Sequence, residues 1–288
     1  MLDLSNIPSQ QQQTTTFYAT GNWQTWNKPR NAKFIEIFCL GGGAGGGTGP
    51  IGTGARAGGN AGGSAGIVRG IIPAFLLPDT IYVLVGKGGA GATTSNSSGG
   101  QGDRSYIGLQ PSTSEQTLIC KSSTNNAGNT NAATISTVAL SAFGNLGLFT
   151  AIGGATVPRG GTTTPTQGGS QAALATTLVT SGAGGGGKTA SAFAAGGNIT
   201  SASVVLISQV NGGVTDAQDG ESGYGTLIPF CGTGGAGGAG RQGNSGFGGN
   251  GGNGFYGCGG GGAGASSSAT GVKGGTGGDG LVIITVIC

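Results

Sequence analysis

The chain has 288 residues, of which 70 are glycine and only 7% are charged, with a formal net charge of +3. Glycine stands at roughly three times its ordinary usage and charge far below the ordinary quarter, which excludes the composition of an average enzyme domain. Disordered chains combine low hydrophobicity with high charge; this one keeps 35% apolar residues gathered in short runs, enough to bury a core.

Residues 1–16 read "MLDLSNIPSQQQQTTT". They have neither the basic nor the apolar region of a signal peptide. The Gln run and three Thr read as an arm without a core of its own, which is either disordered or docks on a neighbouring protein. Leu2, Leu4, Ile7 and Pro8 are the candidates for docking.

From Phe17 the pattern turns to short β-rich runs broken at Gly21-Asn22 and at Pro29 to Asn31. Trp23 and Trp26 in this region read as core. Phe34 to Leu40 is apolar on nearly both faces, as in a central strand covered on both sides. The glycine segments "GGGAGGGTGPIGTG" and "AGGNAGGSAG" follow, then strand-like "IVRGII" and "TIYVLVG" and a second glycine group, "GKGGAGA" with "SSGGQGDRSYIGL". Residues 111–181 are rich in Thr, Ser, Ala and Asn and read as an insertion, with strand candidates "QTLICKS" and "LGLFTAI". The last third alternates "GAGGGGKTASAFAAGGN", the strand "SASVVLIS", a long glycine segment and the closing strand "GLVIITVIC". No stretch has helical periodicity. The fold expected is all-β, a jelly-roll-like β-sandwich over 17–288 whose most apolar strands, first and last, pair within one sheet.

The glycine segments read as ordered. From Gly234 through Gly237, Gly240, Gly243, Gly246, Gly249 and Gly252 every third residue is glycine. Collagen has this period but needs abundant proline, and the chain has 9 prolines, none between Gly232 and Gly280. Polyglycine II, the glycine counterpart of polyproline II, makes no internal hydrogen bonds, so its N–H and C=O groups must pair laterally. Columns of side chains facing a neighbour must then be glycine. An inserted bundle of such helices is expected over 41–66, 182–197, 232–264 and 271–280. In "GGNGGNG" the column of Asn250 and Asn253 is expected to face solvent. One isolated glycine helix melts, because ordering a residue costs about 1–2 kcal/mol and a hydrogen bond returns about 0.5–1.5 kcal/mol.

Candidate chemistry is sparse. Gly182 to Thr189, "GAGGGGKT", fits a phosphate-binding loop letter for letter, but two further glycines follow where that loop opens a helix. Asp216, Asp219 and Glu221 depart from calcium-loop spacing and read as a solvated turn. Histidine is absent, which excludes Ser-His-Asp and Cys-His sites, and the five cysteines include no CxxC pair, which argues against zinc. Either the cysteines are reduced and buried, as in a chain assembled in a reducing cytosol, or Cys231 and Cys258, which flank one glycine segment, pair. The basic residues form no block, so no nucleic-acid footprint is visible; Lys28, Arg30 and Lys33 read as a solvated strand edge. No run is long enough for a membrane span. No enzyme activity, metal or cofactor is expected. Phe247, Phe255 and Tyr256 remain, either as aromatic anchors for a ligand or as plugs between the glycine bundle and the β-core.

"GNWQTWNKPRNAKFIEIFCLGGGAGGG" resembles the opening of the glycine-rich domain of bacteriophage tail and fibre proteins, and "TIYVLVGKGGAGA", "GGQGDRSYIG" and "GGTGGDGLVIITV" are similar to its later motifs in the same order. The resemblance implies a virion surface protein, a tail fibre or tip or a capsid fibre or decoration, whose glycine helices pack hexagonally and present host-recognition loops. It implies assembly in the host cytoplasm; the short arm 1–16 departs from long fibres and fits a small protein docked through it on a capsid or tail. The implied partners are other virion proteins, a host receptor or glycan met by Phe247, Phe255, Tyr256, Asn250 and Asn253, and further copies of the chain, a trimer above all. A carbohydrate-binding module not tied to a particle and, more remotely, a nucleotide-binding enzyme acting through 182–189 are the alternatives.

Overall fold

The computed structural model describes residues 13–122, 147–155, 157–172, 178–200, 208–225, 232–268 and 271–288. Among them are eleven strands and no α-helix. The strands are β1 (Gln13–Phe17), β2 (Gln24–Asn27), β3 (Phe34–Leu40), β4 (Ile67–Pro73), β5 (Thr80–Leu84), β6 (Tyr106–Gly108), β7 (Leu118–Lys121), β8 (Phe149–Ile152), β9 (Gln171–Ala172), β10 (Ile199–Thr200) and β11 (Leu281–Ile287). β1-β11-β3-β4-β8 form one antiparallel sheet and β2-β5-β6-β7 a second, while β9 and β10 make a short parallel pair.

Period-two alternation explains the core. Ile35, Ile37 and Cys39 of β3 and Val282, Ile284 and Val286 of β11 point to one side, where they meet Trp26, Ile81, Val83, Ile107 and Ile119 of the second sheet. The opposite faces carry Phe38, Leu40 and Ile283, packed against Ala65, Val179 and Cys258. β3 is thus buried on both faces over its second half, as its unbroken apolar run requires, and it pairs with β11 from Leu40↔Leu281 to Phe34↔Ile287. Ser105, wholly buried, ties the sheets to the glycine segments: its Oγ donates to the Leu40 carbonyl at 2.6 Å and accepts from the Gly86 N–H at 3.0 Å. Cys39 and Cys120 are both buried in the core. The hydrogen bond to Cys39, then burial and charge repulsion, push the Cys120 thiol pKa upward, so Cys120 is not an activated nucleophile. Cys231, and with it the pairing considered from the sequence, lies outside the described residues, as do Leu2, Leu4, Ile7 and Pro8.

The glycine segments bond largely to one another, with partners that repeat every three residues. In the run 258–266, Gly259, Gly262 and Ala265 donate to Thr180, Ala183 and Gly186; Gly260 and Ala263 donate to Ala44 and Gly47; Gly261 and Gly264 donate to Gly252 and Gly249. The same run accepts from Gly235, Gly238 and Arg241, from Gly62 and Gly59, and from Gly275. It therefore lies among six other runs, donating to three and accepting from three. Nothing larger than hydrogen fits at most of these positions: a Cβ on Gly259, Gly261 or Gly262 would stand 1.9, 2.0 or 2.1 Å from a neighbouring carbonyl oxygen. Fully buried alanines, Ala44, Ala183, Ala236, Ala239 and Ala263, occupy other positions of the runs.

Several details differ from the sequence reading. Gln13 to Thr16, assigned there to the arm, form edge strand β1 with Phe17. The segment 232–264 is not one helix but successive runs: Gly243 and Gly246, although in phase, have φ of +94° and +98° and reverse the chain, and Gly257 (φ +67°) reverses it again. Likewise 41–66 is interrupted at Gly52 and Gly54. The third column does not simply face water. Asn250 Oδ1 accepts from Lys273 N at 2.8 Å and Asn253 Oδ1 from Thr276 N at 2.9 Å, taking the place of carbonyls that no run supplies there. "QTLICKS" and "LGLFTAI" supply β7 and β8, while "SASVVLIS" lies almost wholly outside the described residues.

Gly261→Ala is expected to cost more than about 3 kcal/mol in denaturant unfolding, as severe overpacking does. Gly100→Ala, with its nearest contact at 3.1 Å, should cost less than about 1 kcal/mol. In native-state hydrogen exchange, amides 259–265 should open only with global unfolding, and those of Asn244 and Ser245, in an exposed turn, should exchange orders of magnitude faster.

Candidate functional site

Each glycine run that leaves a sheet must turn back, and a turn needs backbone conformations that a packed run does not. The left-handed residues mark these reversals: Gly52, Gly54, Asn96, Ala217, Gly243, Gly246 and Gly271. The turns are stitched together. Ile51 N donates to Ser95 Oγ at 3.1 Å, Gly52 N to the Ser266 carbonyl at 3.2 Å and Gly54 N to Asn244 Oδ1 at 3.3 Å. Gln242 reaches the Ser191 carbonyl at 2.6 Å and Asp216 Oδ1 at 2.7 Å. The result is a cluster of turns at the ends of the runs away from the strands.

Arg56, Arg159, Lys188 and Arg241 are among the cations at this end. Of these four, only Arg241 has a carboxylate partner among the described residues, Asp216 at 3.1 Å. Arg56 and Lys188 form an antiparallel backbone pair, their N–H and C=O groups exchanged at 2.9 Å, so their side chains share a face. Lys188 is wholly enclosed; its Nζ donates to the Gly243 carbonyl at 2.9 Å and to Ser267 Oγ. Burial first, and then the like charge of Arg56, lower its pKa below the ordinary 10.5. The loop motif around Lys188 holds no phosphate cradle: the N–H groups of residues 182–187 are all bonded to the carbonyls of Gly62, Gly235, Gly169, Gly59, Gly238 and Thr166.

A cavity of about 320 Å³ opens between the turns, lined by residues that include Thr48, Asn60, Asn96, Ser97, Arg159 and Thr162. Residues near 48–60, 96–98 and 159–163 build it, and no motif announces it. The one signal in the sequence is that arginine and lysine stand at the boundaries of glycine runs, as Arg159 does before Gly160-Gly161.

The aromatic candidates are divided between the two ends. Phe247 follows the Gly246 reversal, 46% exposed, its ring over Gly271. Phe255 and Tyr256 sit at the opposite end, where the runs meet the strands. Their rings are 4.8 Å apart and T-shaped, Phe255 fills the space beside Gly225 and Gly232, and Tyr256 packs on the Leu40 cluster. Trp26 is core and Trp23 packs near Tyr106 at 6.5 Å. Asp216, Asp219 and Glu221 accept from the N–H groups of Gln242, Asn250 and Asn211. Among the described residues no group of three His, Cys, Asp or Glu could hold a metal ion, and no helix is long and apolar enough to cross a membrane.

A family model described as a glycine-rich domain matches residues 17–286. No curated protein matches the chain.

A lysine whose native pKa is lowered carries fewer protons folded than unfolded between that lowered value and 10.5, so its penalty is fully present below the window and relieved as pH rises through it. Wild-type stability should therefore gain relative to Lys188→Met as pH rises toward 10.5. Parallel stability–pH curves for the two proteins would contradict this.

Proposed function

Because the chain belongs to the glycine-rich domain family, we propose that it is a structural protein of a bacteriophage particle, a tail fibre or tip or a capsid fibre or decoration, that contributes to host-surface attachment. The observation that supports this most is the separation of a strand-built end from a cluster of turns by runs cross-linked through their backbones. A rigid support carrying loops is how binding residues are commonly displayed. In this reading the two sheets are the faces of a β-sandwich and the glycine runs are polyglycine II helices packed hexagonally. The shared core of the two sheets favours the first, and the three-residue recurrence of partners with six neighbours around 258–266 favours the second.

The turn end, with Phe247 and the exposed Arg159, is assigned to the host surface, and the strand end with the preceding residues 1–12 to the particle. Phe255 and Tyr256 then belong to the join, not to the receptor. Partners are other virion proteins, a receptor or glycan and further copies of the chain, a trimer by preference. The reading gives the chain no catalytic role. It is assembled in the host cytoplasm and resides in the virion. A carbohydrate-binding module free of any particle is the second reading, favoured by the cavity among the turns.

Mass spectrometry of purified particles separates the two: the protein should be a stoichiometric component, and its absence would sink the virion reading. Purified protein at saturating dose should also reduce phage adsorption; no competition would leave only an architectural role.

A further inference from the structure

Among the candidates in the molecule, the Arg56–Lys188 pair already has acceptors for the buried ammonium, and the Cys39–Cys120 pair is sealed in the core. The cavity at the turns differs, because it gathers an unpaired guanidinium and an uncommitted amide donor. Asn60 commits its Oδ1 to the Gly160 N–H at 2.8 Å, and among the described residues nothing accepts from its Nδ2. Arg159 is exposed, and among the described residues no carboxylate pairs with its guanidinium. Both groups are donors, and one is cationic. Thr48 forms a fixed wall, its hydroxyl held between the Thr94 carbonyl and the Ser97 N–H. Ser97 Oγ donates to the Ser98 carbonyl at 3.3 Å, which leaves its lone pairs as acceptors.

Unused donors around a guanidinium call for an acceptor-rich anion, and a carboxylate or phosphate meets the planar fork of arginine with two parallel bonds. The Ser97 oxygen adds an acceptor for a ligand hydroxyl. Among the described residues no aromatic ring lines the cavity, so they offer no platform for stacking on the face of a neutral sugar. A volume of about 320 Å³ is at the small end of ligand sites and suits one ring, not a chain of them.

We propose that this cavity is a binding site for a single acidic sugar residue, with Arg159 taking the carboxylate or phosphate, Asn60 Nδ2 a second anionic or ring oxygen, and Ser97 a hydroxyl. The choice of a sugar as the bearer of the anion rests on the attachment reading above. The site is distinct from the aromatic residues and from Lys188, and it gives the turn end a selectivity for anionic over neutral surface glycans. Because the charge is exposed, binding weakens as salt is raised.

The test is a titration of the full chain at low ionic strength, followed by NMR or calorimetry, with sodium D-glucuronate and D-glucose 6-phosphate as probes and D-glucose, acetate and inorganic phosphate as controls. At least one acidic sugar should bind with a dissociation constant of about 1 mM, at least about tenfold tighter than glucose and than the free anions. Arg159→Gln should weaken it at least about tenfold, the loss expected for a charged hydrogen bond, and Arg159→Lys less. An unchanged melting temperature shows that these surface variants remain folded; should Arg159→Gln not fold, Ser97→Ala must weaken acidic-sugar binding instead. Equal binding of glucose would overturn the proposal, as would equal binding of acetate or phosphate, which marks an ion site alone. No binding up to about 50 mM, weaker than any specific site, or an unaffected Arg159→Gln would also overturn it. Loss of acidic-sugar binding with the protein still present in particles rejects the cavity alone, whereas absence from particles rejects the virion reading and leaves the cavity standing.

Discussion

An extended glycine run forms no hydrogen bonds within itself, so every N–H it takes out of water must reach an oxygen on a different run. That requirement organises the rest of the molecule. It brings backbones so close that a methyl group at Gly259 or Gly261 would overlap a carbonyl oxygen. It also makes each run dependent on several others, because one run offers acceptors along only part of another's circumference. The two sheets supply what the glycine array lacks, a conventional apolar core of Ile35, Ile37, Val282 and Ile284 that holds the ends of the runs in register.

At the margin of the array the requirement outlasts the supply of runs, and side chains complete it. Asp219 accepts from Asn250 N, Asn250 from Lys273 N, Asn253 from Thr276 N, Asn198 from Gly212 N, Asn60 from Gly160 N and Asp279 from Gly88 N, all between 2.6 and 2.9 Å. Short side chains with an oxygen suit this substitution because they reach about as far as a missing carbonyl and lose little conformational freedom. The polar residues among the glycines are thus largely structural, and residues that remain uncommitted, such as Arg159, stand out against them.

Much of this was legible in the sequence, and what was not has physical reasons. Phe34 to Leu40 and Leu281 to Ile287 read as strands because both are apolar on two faces, and they pair. Gln13 to Thr16 did not, because an edge strand in this position carries threonines that meet solvent and one neighbour, β11. The phase of the glycines disclosed the three-residue period but hid the reversals: Gly240 is glycine for lack of space and Gly243 for its left-handed backbone, and one letter serves both. Asn253 is exposed, as its column suggests, but that Asn250 and Asn253 also cap a neighbouring run is not legible, because an asparagine that caps a neighbour and one that greets a ligand look alike without the neighbour. The cavity was invisible, since its walls come from residues near 48, 60, 97 and 159, whose proximity only the array creates.

The position of the run 258–266 bears on how such a chain can be made. Its neighbours come from segments near residues 44, 60, 182, 237, 250 and 275, and β11 slots between β1 and β3. On the ribosome, therefore, the earliest runs emerge with their central partner still unsynthesised, and the first-made strands wait with a gap that only residues 281–287 fill. An early fragment can pair part of its amides, as Ala44 does with Gly63 and Gly45 with Gly100, but Gly59 and Gly62 must await the carbonyls of Ala263 and Gly260. The array is complete only when the run 258–266 is placed among runs most of which were made before it.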